Sequence, residues 1–113
     1  MRVALSILSL FLACAHSLAA QFEGKDAGSH YDLTVDGQVW LRTITLKYDA
    51  FNRSDTYKVY THILDFDGKE PITKGPGGKY PHHRGLFIGW KDTIVNGVDY
   101  DTWHMQAEPC SQQ

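Results

Sequence analysis

The chain has 113 residues, 42% of them hydrophobic and 21% charged, with a formal net charge of -2. That balance offers no basic surface of the kind that nucleic acid or an anionic membrane selects. Two cysteines, Cys14 and Cys110, are too few for a disulfide-built scaffold, and the length suits one small domain.

The first elements belong to export. Arg2 supplies a positive start, Val3 to Ala15 is apolar, and Ser17-Leu18-Ala19 provides small residues before a cleavage point. This pattern predicts a signal helix over residues 1–19, too short to remain as a membrane span. Phe11-Leu12-Ala13-Cys14 loosely resembles a bacterial lipobox, a competing reading in which lipid on Cys14 anchors the protein. The expected location is periplasmic or extracellular. Cleavage removes Cys14, leaving Cys110 as a free thiol or one whose partner lies outside the chain. No later segment has the length and apolarity of a stable membrane span.

Residues 20–30 are polar and glycine-containing and read as a flexible start. From there the pattern is β. Tyr31 to Val35 alternates, and Asp36-Gly37 suits a tight hairpin turn. Val39 to Tyr48 alternates again, with Trp40, Arg42, Ile44, Leu46 and Tyr48 on one parity. Asp49 to Thr56 reads as a loop, Tyr57 to Leu64 as a strand, Asp67-Gly68 as a turn, and Glu70 to Thr73 as a short return. The Gly/Pro run from Gly75 to Gly78 breaks regular structure. Leu86 to Trp90 reads as a compact apolar strand, and Asn96-Gly97 between Ile94-Val95 and Val98 as a hairpin. Residues 31–105 thus form the β domain, and 106–113 a disordered tail. The expected fold is all-β, an antiparallel β-sandwich or part of one.

Chemistry-bearing residues concentrate in Tyr80-Pro81-His82-His83-Arg84-Gly85 and Asp101-Thr102-Trp103-His104. On an extended backbone His82 and Arg84 would share one face and His83 the other, which argues against a metal ion held by both histidines. Histidine exchanges a proton near neutral pH, and arginine holds an oxygen substituent through a planar fork. His82, His83 and Arg84 are therefore the candidate catalytic set. His62, Asp101, Trp103 and His104 are the candidate substrate-binding set, with Trp103 a platform for a sugar ring. The opposing reading is structural: histidines bonded to backbone, Arg84 paired with an aspartate, and aromatic residues in packing. The histidines left after cleavage, His30, His62, His82, His83 and His104, match no strong zinc spacing. No metal set is assigned and the cofactor is unknown. Asp65 and Asp67 flank a turn, which accounts for them without catalysis.

Three stretches together resemble a bacterial domain family labelled "methane oxygenase PmoA": Pro71-Ile72-Thr73-Lys74-Gly75, Tyr80 to Phe87, and Val95 to Tyr100 with Trp103. The resemblance covers about Tyr31 to Met105. It implies an exported β-sandwich from bacteria rich in polysaccharide-degrading enzymes, with its recurrent polar positions at His82, His83 and Arg84. The label itself implies copper or iron oxygenase chemistry, yet a membrane monooxygenase subunit is a bundle of spanning helices, which this sequence does not encode. Members of that family are longer, so the chain resembles an N-terminal fragment whose C-terminal half would complete the domain. The expected function is binding or processing of a carbohydrate or related polyol. The rivals are a metal-dependent oxidoreductase and a fragment without independent function.

Overall fold

The computed structural model describes residues 19–105. The predicted signal up to Leu18, with the lipobox, and the tail from Gln106, with Cys110, lie outside the described residues. Six strands carry the fold: β1 (Phe22–Asp26), β2 (His30–Val35), β3 (Gln38–Ile44), β4 (Tyr60–Ile63), β5 (Thr93–Val95) and β6 (Val98–Tyr100). The first four form one antiparallel sheet in sequence order, and β5 and β6 pair with each other. The all-β, sandwich-like class expected from the alternation is the class observed, and no helix among the described residues is long and apolar enough to cross a membrane.

Turn chemistry sets the meander. Asp36 and Gly37 take φ of 52° and 82°, and Asn96 and Gly97 take 51° and 80°. Both pairs therefore adopt the left-handed values that a two-residue hairpin with matching strand twist demands. Between β2 and β3 the register shifts after Leu33, with Leu33 opposite Leu41 and Thr34 opposite Val39. Trp40 is thus the extra residue of a β-bulge, and its ring meets Phe66 edge-on at 6.3 Å.

Four sequence expectations are corrected. Residues 22–26, read as part of a flexible start, form β1 because Asp26 accepts the Gly28 N–H at 2.7 Å and turns the chain back. Asp36 then holds the far end of that strand through Gln21. The loop from Asp49 contains a 3₁₀ turn (Ala50–Asn52) and a short helix, α1 (Arg53–Thr56), started by Asp49 accepting the Phe51 N–H. The strand expected to run to Tyr48 ends at Ile44. Leu86 to Trp90 is not a strand: only Leu86 bridges, to Thr61, and the chain then leaves the sheet so that the Trp90 carbonyl accepts from the Trp103 N–H and the Trp90 N–H donates to Thr102 Oγ1. Its apolar run suggested two-sided burial, yet Ile88 and Trp90 are exposed.

The interior lies against one side of β4. Lys58, Tyr60, His62 and Leu64 alternate in sequence and are all buried, joined by Tyr57, His82, Arg84 and Met105. This interior is unusually polar, and its two largest fully buried side chains are Arg84 and Lys58.

Candidate functional site

The site is built on the loop that carries the two histidines. It is a turn rather than an extended segment, with the His83 N–H donating to the Tyr80 carbonyl at 3.1 Å. Four successive carbonyls of this loop are gripped by three cations. Lys74 Nζ donates to Tyr80 O (3.2 Å) and His83 O (3.1 Å), Arg84 Nε to Pro81 O (2.8 Å), and Lys58 Nζ to His82 O (3.3 Å). Lys74 also donates to Gly75 O and Gly77 O, so one ammonium organises the Gly/Pro run as well. Lys58 reaches Trp103 O at 2.5 Å, and Arg84 reaches Ser54 O in α1 at 2.5 Å. Gly85 closes the loop onto β4, where a Cβ would stand 2.2 Å from Thr61 O.

This turn overturns the expectation that His82 and His83 face apart. Their rings meet edge-on at 4.3 Å, and His82 also meets His104 at 4.7 Å. His83 stacks on Tyr80 at 5.4 Å and lies 6.3 Å from the Trp103 ring. Three imidazoles are thereby brought together with Asp101, whose Oδ2 is 2.6 Å from His104 Nδ1. Asp101 also accepts the Trp103 and His104 backbone N–H groups, which fixes the turn carrying both residues.

Arg84, proposed from sequence to meet substrate or an aspartate, is buried, and its guanidinium lies 4.3 Å from the Tyr57 ring centre. Two of its three nitrogens hold carbonyls, and the third is buried with no partner among the described residues. His82 is likewise buried, with Nδ1 unpartnered. His62 stands on β4 with Nδ1 2.9 Å from Thr73 Oγ1, one side chain away from the cleft described next.

That cleft has a volume of about 420 Å³ and is lined by His83, Arg84, Lys74, Thr73, Phe87 and Trp103. Phe87 and Trp103 pack together at 5.0 Å and make its wall apolar. Lys58 Nζ sits 3.3 Å from the Phe87 ring centre, behind that wall. Lys58, Lys74 and Phe87 were not singled out by sequence reasoning. The signal for Lys58 was present, because it shares the parity of Tyr60, His62 and Leu64 on a face otherwise destined for burial.

Burial, followed by repulsion from Arg84, lowers Lys58 from 10.5 to about 8, against the pull of Asp101. Burial, then His83, His104 and Lys58, pushes His82 below its ordinary value, so it is held neutral. Burial also lowers His62, partly offset by its bond to Thr73. For Asp101 burial acts upward, but the His104 N–H and imidazole together outweigh it and hold the carboxyl low. Asp101 is thus an anion that orients the His104 ring through its Nδ1. Among the described residues, no group of three His, Cys, Asp or Glu side chains is placed to share a metal ion.

Comparison with known proteins adds one match. Residues 30–113 match the model of a family described as "Family of unknown function (DUF6807)", which covers most of the sequence, so the chain belongs to that family. No curated protein and no solved structure matches it.

Proposed function

We propose that this DUF6807 member is an exported β protein that binds or processes a carbohydrate or related polyol in the cleft beside the histidine loop. The observation that carries the reading is the composition of that cleft: an aromatic wall of Phe87 and Trp103 with His83, Thr73 and cationic groups in the same lining. A sugar ring offers C–H faces to such a wall and hydroxyls to such polar groups, and the volume lies within the range of small-molecule sites. His83 is the group placed to exchange a proton with a bound hydroxyl. His82 and His104 stand behind it, and Asp101 fixes the orientation of His104. The resemblance to the PmoA-labelled family and the signal pattern over residues 1–19 support the exported, carbohydrate-associated setting. The oxygenase chemistry of that label has no supporting ligand group among the described residues.

Calorimetry and tryptophan fluorescence with a panel of neutral sugars and polyols test the reading. Saturable binding that disappears in Trp103→Ala is expected. Absence of binding by every member of the panel refutes it.

A second reading is favoured by one observation. Phe51, Phe66, Ile88 and Ile94 are each more than two-thirds exposed, a large apolar area for so small a domain. On this reading the chain is a partial sandwich that lacks independent function. A single cooperative unfolding transition of the full chain would count against it.

A further inference from the structure

Lys58 and Arg84 are the deepest charged groups among the described residues, at 2% and 1% exposure. Neither meets a carboxylate within ion-pair distance among the described residues, where the pairs formed are Asp32 with His30 and Arg42, and Asp101 with His104. Carbonyl oxygens accept two hydrogen bonds from each, but a carbonyl carries no net charge, so two buried positive charges lack an ion-pair partner among the described residues. Lys74, which is exposed, adds a positive charge on the cleft lining. One Arg84 nitrogen remains buried with nothing to donate to, on a residue that lines the cleft. Asp101, the carboxylate that pulls on Lys58, is already committed to His104 and two backbone N–H groups.

We infer that the cleft takes a sugar acid, a polyol bearing a carboxylate, with the carboxylate accepting from the unpartnered Arg84 nitrogen and supplying the countercharge that Arg84 and Lys74 lack. The inference rests on the carbohydrate reading above and narrows it. The carboxylate accepts a charge-assisted bond from that nitrogen, while the ring of the same ligand meets Trp103 and Phe87. The chain as a whole is acidic, so the preference is local to this cleft and does not arise from net charge.

The test is titration of the full chain at low salt with D-glucuronate and D-galacturonate, each beside its neutral parent sugar, and with inorganic phosphate. Each sugar acid is expected to bind at least about tenfold more tightly than its parent, and the gap should narrow as salt is raised. Arg84→Met should abolish the gap. Because that variant removes a buried anchor, Lys74→Met, which takes a charge from an exposed side chain of the cleft lining, provides the second measurement, with folding checked by its melting curve. It should reduce the preference for acid over neutral sugar several-fold. Equal affinity for acid and neutral sugars, or a preference untouched in Lys74→Met, overturns this inference and leaves the carbohydrate reading standing. Phosphate binding as tightly as the sugar acids overturns it in favour of a general oxyanion site. Failure of every sugar to bind overturns both.

Discussion

Replacing Lys58 by methionine isolates the electrostatic cost of the buried ammonium. Methionine keeps a long unbranched chain against Phe87 but removes the charge and the bonds to His82 O and Trp103 O. In the folded protein the lysine drops from 10.5 to about 8, with burial the leading cause and Arg84 the next. Between those two values the unfolded chain holds a proton that the folded chain has released, so stability rises with pH across that window. Near pH 7 the term opposes folding by about 3 kcal/mol, and about 2 kcal/mol of that is relieved by about pH 9.5. Above that the sign reverses for Tyr60, which burial raises, so the comparison stops there. Urea unfolding of the wild type and Lys58→Met, followed by tryptophan fluorescence at several pH values, measures the difference directly. Groups common to both proteins cancel. The gap in stability should change by about 2 kcal/mol across the range, in favour of the wild type as pH rises. Parallel stability curves would refute the reasoning, because they would place Lys58 in water.

Three further outcomes follow from the same geometry. His82 is held below its ordinary 6.5, so the unfolded chain gains its proton first and stability falls on acidification below that value; His82→Phe should flatten this loss in acid unfolding curves. Gly85→Ala places a methyl group 2.2 Å from Thr61 O at a φ of 34°, breaking the Thr61–Leu86 bridge; a loss above about 2 kcal/mol in chemical denaturation is expected. Arg42→Met leaves the buried Asp32 without its two-pronged partner at 2.8 and 2.9 Å, which should cost about 2 kcal/mol near neutral pH. The hydrogen bond from Arg42 is what chiefly lowers Asp32, so the wild type should lose this stabilisation as pH falls below 3.8 and the variant should not.

Legibility from sequence followed the range of the forces involved. Asp36-Gly37 and Asn96-Gly97 specify their turns locally, and both hairpins form as read. β1 was missed because its cue, an aspartate two residues before a glycine, was outweighed by polar composition. Leu86 to Trp90 was misread because an apolar run reports burial without saying which partner supplies it. The histidine loop was correctly singled out as a cluster, but its geometry depends on Lys58 reaching forward 24 residues, Lys74 reaching forward 6 and 9, and Arg84 reaching back 3 to its carbonyls. Such contacts between a side chain and a distant backbone oxygen leave no periodic trace. Only the parity of Lys58 with Tyr60 and His62 hinted that a charge would be drawn inward.

The cationic grip on Tyr80, Pro81, His82 and His83 has a consequence for how such a site can diverge. A loop shaped by its own side chains changes form whenever those side chains change. Here the trace of the backbone is dictated from outside, and the imidazole of His83 carries none of that load. Its replacement alters the lining of the cleft while the scaffold beneath keeps its outline, so variation at this position is uncoupled from the labour of rebuilding the fold.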